Sequence, residues 1–191
     1  MVMPVPHGGR WRATDLDHLP ENGMRYEVLN GQLVVSAPPN IRHQLLIQSL
    51  GNALDAVASP GYLVLPGVGV VIGEDEPIPD LVAAAGPVDG DSRGIPAEQV
   101  KLVVEVVSSS TTLQDRMVKP VVYAEASIPN YWRFEINPFK GQLPGESLPV
   151  LFAHELGDDK TYELTHRVAA GDAVTLRSPF EFTIDPGLLL P

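Results

Sequence analysis

An acidic residue in the middle of an apolar stretch most constrains how this chain can fold. The stretch runs from Lys101 to Val107 (KLVVEVV), and Glu105 is its only acid. A carboxylate buried in such a strand is costly unless a cation meets it. A second acid, Asp80, follows Pro79 and opens another apolar run, Leu81 to Ala85. Two acids on neighbouring buried strands would form a site of hard oxygen ligands, the kind that Mg²⁺ prefers.

The rest of the chain divides into short elements, because 19 prolines and 17 glycines interrupt it. Asn30-Gly31 between two apolar runs predicts a tight hairpin turn of type I′. Asn40 is predicted to cap a helix that continues to about Ala58, since apolar residues recur there at helical spacing. The other predicted elements are a short helix that opens at Thr14 and stops before Pro20, strands at 26–29, 32–35, 63–65, 68–72, 81–85, 102–107 and 130–136, a turn at 108–110, a helix at 111–126, and an antiparallel C-terminal part from Gly141 with strands at 162–166 and 174–176.

Composition narrows the classes of function. The chain has 24 acidic and 13 basic residues and a net charge of −11, so contact with nucleic acid requires a local basic patch or a metal ion. The lack of cysteine excludes thiolate metal sites and a cysteine nucleophile. The five histidines form no close pair of the zinc-protease type. No apolar stretch reaches the roughly 18 residues of a membrane span, so we expect a cytoplasmic protein that makes no contact with membranes.

Four residues together could carry phosphodiester chemistry: Glu27 in the first hairpin, Asp80, Glu105, and Lys119 in the helix after the Glu105 strand. Metal-assisted hydrolysis needs carboxylates for the ion, an activated water and a cation that stabilises developing charge. Asp80 and Glu105 could supply the carboxylates, and Lys119 the cation. A structural alternative remains open, in which Asp80 caps a strand and Glu105 forms a buried ion pair with Lys119 or Arg116.

The run from Arg25 to Trp132 resembles the Uma-type restriction endonucleases, a branch of the PD-(D/E)xK nuclease superfamily. The resemblance rests on four segments in order, RYEVLNGQLVV with APPNIRHQ (25–44), IPDLV (78–82), LVVEVVSSSTTLQDRMVK (102–119) and YAEASIPNYW (123–132). It implies an α/β fold of the restriction-endonuclease type, with a mixed central sheet flanked by helices. We expect one domain over residues 1–191, with a core at about 14–137 and a small antiparallel β extension at about 141–191.

The resemblance also implies a role for each site residue. Asp80 and Glu105 would be metal ligands together with the backbone carbonyl of Val106, and Glu27 an auxiliary acid near the metal. Lys119 would be the catalytic cation. His43, on the first turns of the long helix, would face the same site.

Two positions depart from the superfamily pattern. That pattern places a lysine two residues after the second acid, where this chain has Val107. Lys119 is the replacement candidate, but Pro120 follows it and disfavours helical geometry there. The helix is therefore predicted either to kink or to split, with Pro120 as the first residue of the second part. Asp115, four residues earlier, would either orient Lys119 or form an ordinary surface ion pair, and Tyr123 is expected to pack rather than to react.

The second departure lies in the strand NYWRFEI (130–136), where Arg133 and Glu135 interrupt the apolar residues. Strand alternation places both on one face, which we interpret as a sheet edge or a dimer surface.

The sequence thus predicts a Mg²⁺-dependent endonuclease acting on DNA, with Mn²⁺ as a possible substitute ion. The attacking water would lose its proton to solvent, or to Lys119 if the pKa of that amine is depressed. An alternative is a catalytically inactive nuclease-like domain that binds protein or nucleic acid, and a third reading is a hydrolase of another phosphate ester. A homodimer is expected only by analogy with enzymes that cut both strands.

Overall fold

A computed structural model describes residues 8–108 and 112–191 of the chain. Its strands are β1 (Arg25–Leu29), β2 (Gln32–Ser36), β3 (Tyr62–Pro66), β4 (Val70–Val71), β5 (Leu81–Ala85), β6 (Ile95–Pro96), β7 (Val100–Val107), β8 (Asn130–Glu135), β9 (Val150–Leu156), β10 (Tyr162–Ala169), β11 (Val174–Leu176) and β12 (Phe182–Ile184). The α-helices are α1 (Ile41–Val57) and α2 (Lys119–Glu125), and a π-helical turn, Gln114–Val118, precedes α2. Short 3₁₀ helices lie at Ala13–His18, Ala97–Gln99 and Pro186–Leu189. Within these residues no helix is both long and apolar enough to cross a membrane.

The described residues form a central sheet of six strands in the order β10-β9-β8-β7-β5-β3. β7 and β8 pair in parallel, whereas the other neighbours pair antiparallel, so the sheet is mixed as predicted. The crossover from β7 to β8 carries the π-helical turn and α2. β5 and β7 are direct neighbours, which places the two predicted acids on adjacent strands.

The two faces of the sheet bury different sets of side chains. On one face, Leu46 and Leu50 of α1 pack with Leu102 and Val104 of β7 and with Trp132 of β8. The other face forms a smaller cluster around Val103, Tyr123 and Tyr131, where α2 packs. Burial of these apolar side chains contributes about 1.5–3 kcal/mol each to folding. The sheet is therefore held between α1 and α2, and a residue at the end of β5 or β7 can be reached from both helices.

Most predicted elements are confirmed. Asn30 and Gly31 have φ of 52° and 72°, as a type I′ turn requires, and they join β1 to β2. The Asn40 side chain accepts a hydrogen bond from the backbone N–H of His43 at 3.0 Å, which is the predicted cap of α1. The first short helix is a 3₁₀ helix that begins at Ala13, so its predicted start at Thr14 is one residue late.

The helix before β8 is not split at Pro120, because residues 112–125 are helical without a break and Lys119 itself has helical dihedral angles, φ −58° and ψ −42°. Pro120 lies in the first turn of α2, and the preceding residues form the π-helical turn. The predicted helix start at Thr111 and the predicted turn residues Ser109 and Ser110 lie outside the described residues.

The C-terminal part is antiparallel, as predicted, and ends in the separate pair β11 and β12. However, β9 and β10 continue the central sheet beyond β8, because Leu151 and Ala153 of β9 belong to the same core cluster as Trp132. β8 consequently lies inside the sheet, and the interpretation of Arg133 and Glu135 as a sheet edge is wrong.

Candidate active site

Asp80 and Glu105 lie at adjacent strand ends on the wall of one cleft of about 200 Å³. In the β5–β7 ladder Leu81 pairs with Val104, so Asp80 and Glu105 are the next residues in register. The backbone N–H of Asp80 donates to the carbonyl of Val104 at 3.0 Å and continues the ladder. The other residues that line the cleft are Arg25, Glu27, Ser36, Ala37, Pro38, Pro39, Asn40, His43, Ser108, Asp115 and Lys119.

The Asp80 carboxylate is held by three groups from different elements. Its Oδ2 atom accepts a hydrogen bond from the backbone N–H of Val106 at 2.8 Å and lies 3.1 Å from Nε2 of His43. Its Oδ1 atom lies 3.1 Å from Nη1 of Arg25. These contacts fix both carboxylate oxygens, so a simple strand-capping role does not describe Asp80.

His43 reaches this carboxylate from the first turns of α1. Its Nε2 atom lies 3.1 Å from the carbonyl oxygen of Val106 and 3.1 Å from Asp80 Oδ2. Both neighbours are acceptors, so Nε2 carries a proton. The Nδ1 atom is buried and has no hydrogen-bond partner among the described residues.

Lys119 joins the acids on the other side of the cleft. Its Nζ atom lies 3.0 Å from Glu27 Oε1, 3.1 Å from Glu105 Oε1 and 3.7 Å from Asp115 Oδ1. It also donates to the carbonyl of Ile78 at 3.5 Å, and the residue is only 2% exposed. The ion pair between Glu105 and Lys119 that the structural alternative requires is therefore present.

Tyr123 completes the surroundings of Glu105. Its hydroxyl donates a hydrogen bond of 2.6 Å to Glu105 Oε1, and the ring packs in the core cluster below α2. The expectation that Tyr123 packs is correct but incomplete, because the same side chain also holds a site carboxylate. Glu27 is fixed in a similar way, since its Oε1 atom accepts a hydrogen bond of 2.7 Å from the backbone N–H of Ile78.

The segment that carries Asp115 and Lys119 has a reversed distribution of polarity. These two charged side chains point inward and are each 2% exposed. The residues that face outward are Leu113, Met117 and Val121, which are 63%, 64% and 53% exposed. Asp115 is thus part of the buried site, and its reading as a surface ion pair is wrong.

Burial and neighbouring charges shift the pKa values of Asp80 and Glu105 in opposite directions. Burial alone would raise the pKa of Asp80, but His43, Lys119 and Arg25 lower it below its usual value. Burial raises the pKa of Glu105 well above its usual value; Lys119 opposes this shift, and the negative charges of Asp115, Asp80 and Glu27 add to it. The surroundings thus favour the ionised form of Asp80, whereas at Glu105 burial opposes the negative charge that the ion pair with Lys119 stabilises.

The acids around Lys119 also act on its ammonium group. Burial disfavours the charge, but Glu105, Glu27 and Asp115 raise the pKa of Lys119 above its usual value. A depressed pKa was the condition for Lys119 to accept a proton from water. That condition is not met, so Lys119 remains a cation.

The donor chemistry of the cleft fits a divalent cation. Four carboxylates, those of Glu27, Asp80, Glu105 and Asp115, line it against two fixed cations, Arg25 and Lys119. Asp80, Glu105 and the Val106 carbonyl present the hard oxygen atoms that Mg²⁺ prefers. In the described part of the chain no three His, Asp or Glu side chains are already arranged around a metal position, because the carboxylates point to Arg25, Lys119 and Tyr123.

All five predicted side chains, Glu27, His43, Asp80, Glu105 and Lys119, line this one cleft. Val107 is buried in β7, and Lys119 brings the ammonium to Glu105 from the following segment instead. Arg116 pairs with Glu135 instead of Glu105, since its Nε and Nη2 atoms donate to the Glu135 carboxylate at 2.8 and 2.7 Å. Sequence reasoning assigned no role to Arg25, although it stands two residues before Glu27 in β1, where strand alternation puts both side chains on one face.

A comparison with protein families decides the classification. The family model for Uma2, described as "putative restriction endonuclease", matches residues 13–187. The chain belongs to the Uma2 family. No curated protein matches it.

The Uma2 assignment agrees with a solved structure of similar fold. That crystal structure is described as a putative nuclease belonging to DUF820 from Anabaena variabilis ATCC 29413. The TM-score is 0.64 and the sequence identity is 13%, over 88% of this chain and 89% of the other. At this identity the likeness establishes the shared fold alone, and the mixed-sheet α/β architecture predicted from the sequence is confirmed.

Proposed function

We propose that this Uma2 protein is a metal-dependent endonuclease that hydrolyses phosphodiester bonds of DNA. The observation that carries the proposal is the convergence of Asp80 and Glu105 in one cleft where four carboxylates meet two cations. The description of the family as putative restriction endonucleases supports the same reaction class.

Asp80, Glu105 and the Val106 carbonyl would hold the ion, Mg²⁺ or in its place Mn²⁺. When bound, such an ion activates a water molecule and stabilises charge on the phosphoryl oxygens. Glu27 and Asp115 add negative charge around Lys119, and Lys119 orients Glu27 and Glu105 while it contributes a fixed positive charge near the reacting phosphate. Because Lys119 remains protonated, the attacking water loses its proton to solvent.

Each contact described above has a part in this arrangement. His43 and the Val106 N–H orient Asp80, whereas Tyr123 orients Glu105. Such fixed partners keep the ligand oxygens in place and reduce reorganisation during the reaction. A homodimer would supply a second active site for cleavage of both DNA strands.

Nicking of supercoiled plasmid in Mg²⁺ or Mn²⁺ tests the proposal. We expect the native chain to nick, and Asp80→Asn and Glu105→Gln, which keep side-chain size, to lose nicking. Asp158→Asn is the matched control, because Asp158 is exposed and does not line the cleft. Equal inactivity of the native chain and both variants, together with no heat of metal binding, would refute catalysis.

One observation favours a second candidate, a nuclease-like domain that binds without cutting. Asp80 and Glu105 already have partners in Arg25, His43, Lys119 and Tyr123, so the fold needs no metal to satisfy them. A binding domain of this kind would show no thermal shift with Mg²⁺, whereas a metal site stabilises the folded state as the ion binds.

A further inference from the structure

Lys119 has little capacity left to contact a substrate. An ammonium group has three donors, and those of Lys119 face Glu27, Glu105 and the Ile78 carbonyl. Its side chain is 3% exposed. A phosphate in the cleft therefore needs another cation for direct contact.

Arg25 is the other cation of the cleft, and its surroundings differ from those of Lys119. Its side chain is 26% exposed. Its Nη1 atom donates to Asp80 Oδ1 at 3.1 Å and to the Ile78 carbonyl at 3.5 Å. Among the described residues, Nε and Nη2 make no hydrogen bond. The guanidinium thus has one side against Asp80 and another side free for a ligand.

Two features lie near the guanidinium of Arg25, a glycine beside Nη2 and the N-terminus of α1 in the same cleft. Gly67 lies next to Nη2, and a Cβ atom at this glycine would come within 3.9 Å of it. The cap Asn40 and His43 of the first turn of α1 line the same cleft. A helix N-terminus carries partial positive charge and adds to the attraction for an anion.

We infer that Arg25 is a substrate-binding residue that contacts a DNA phosphate with its free Nε and Nη2 donors while Nη1 holds Asp80. This inference rests on the proposed function. A guanidinium suits the task because its planar fork can bind two oxygen anions at once. It would let a phosphate enter a cleft whose carboxylates otherwise repel it.

Two measurements test the role of Arg25. The first is plasmid nicking by the native chain, R25Q, R25K and R177Q in Mg²⁺. The second is the salt dependence of binding to a labelled DNA duplex, with the same substitutions placed in an E105Q background to prevent cleavage. Arg177 is exposed and outside the cleft, so R177Q controls for the loss of one positive charge.

One phosphate contact contributes about 0.9 to the slope of log K against log salt for duplex DNA. We expect R25Q to lower that slope by about 0.9 and to slow nicking about 10²-fold, a typical cost of losing one charge-stabilising donor. R25K should keep the slope but nick more slowly, since it keeps the charge and loses the fork. R177Q should match the parent in both assays.

Each outcome has a distinct meaning. If the native chain nicks and R25Q keeps the parent slope, Arg25 only balances Asp80 and the inference is overturned while the proposed function stands. If the native chain neither nicks nor binds DNA, both the proposed function and the role inferred for Arg25 are refuted. Should R25Q not fold, R25K decides alone, because nicking as fast as in the native chain would also overturn the inference.

Discussion

Replacement of Lys119 by methionine should destabilise the fold in a manner that depends on pH. Methionine keeps a similar length but removes the charge that lies within 3.0 Å of Glu27 and 3.1 Å of Glu105. Removal of one partner from a buried ion pair costs about 3–5 kcal/mol. For a chain of this size, where each kcal/mol lowers Tm by about 2–4 °C, the expected fall is about 6–20 °C.

The stability lost on replacement of Lys119 should be greater at about pH 8 than at about pH 5. In the native chain the raised pKa of Lys119 means that its stabilising effect is complete below the pKa of an unfolded lysine and disappears only as pH rises above it. In the variant, Glu105 loses its cation, so its already raised pKa rises further. Between the pKa of an unfolded glutamate and this raised pKa, the folded variant binds a proton that the unfolded chain does not bind. The free energy of unfolding of the variant therefore falls as pH rises through this range.

Urea unfolding at about pH 5 and pH 8, both below the pKa of an unfolded lysine, measures the loss of stability and the part of its pH dependence that comes from Glu105. With a slope of about 2 kcal/mol per molar urea, the midpoint at pH 8 should fall by about 1.5–2.5 M. Lys140→Met is the matched control, because Lys140 is exposed and outside the cleft. A loss below about 1 kcal/mol, or an equal loss at both pH values, would refute the buried charge network described above.

Three other predictions concern the site and the core. Tyr123→Phe removes the hydroxyl that donates to Glu105 and should lower the free energy of unfolding, measured with urea, by about 1.5–3 kcal/mol. The control Tyr26→Phe loses only an exposed hydrogen bond to Asn22, so it should lower this free energy much less. The affinity for Mg²⁺, measured by calorimetry, should weaken as pH falls, and binding should release protons, because burial raises the pKa of Glu105 in the metal-free protein. An affinity that does not change with pH would contradict this prediction. Leu54→Ala in the core should cost about 2–5 kcal/mol but leave the nicking rate of the folded fraction unchanged, which separates fold from site.

The parts of the fold that local chemistry determines were predictable from the sequence. The Asn30-Gly31 turn and the Asn40 cap each depend on a few neighbouring residues, and the acids at 80 and 105 stand out because apolar residues surround them. The position of β9 was not predictable in this way, since its place beside β8 depends on contacts with a strand about twenty residues earlier. The edge assignment of Arg133 and Glu135 failed for the same reason.

The site was predictable in its acids and less so in the groups that hold them. Arg25 and Tyr123 lie 55 and 18 residues from the carboxylates that they contact. The spacing of Arg25 to Glu27 places both on one strand face but indicates no contact with Asp80, and a tyrosine in an apolar helix is common. Their roles follow only from the folded arrangement, in which β1 and α2 meet the ends of β5 and β7.

The reversed polarity of the segment with Asp115 and Lys119 links its order to the integrity of the site. With Leu113, Met117 and Val121 outward, much of what anchors this segment to the sheet is charge, together with the apolar contacts of α2. Protonation or substitution of a site carboxylate therefore weakens the anchor as well as the chemistry. Hydrogen exchange of backbone amides in this segment should accelerate in parallel with loss of the carboxylate contacts, before global unfolding. The charged residues of the cleft thus also stabilise the helical segment that carries two of them, Asp115 and Lys119.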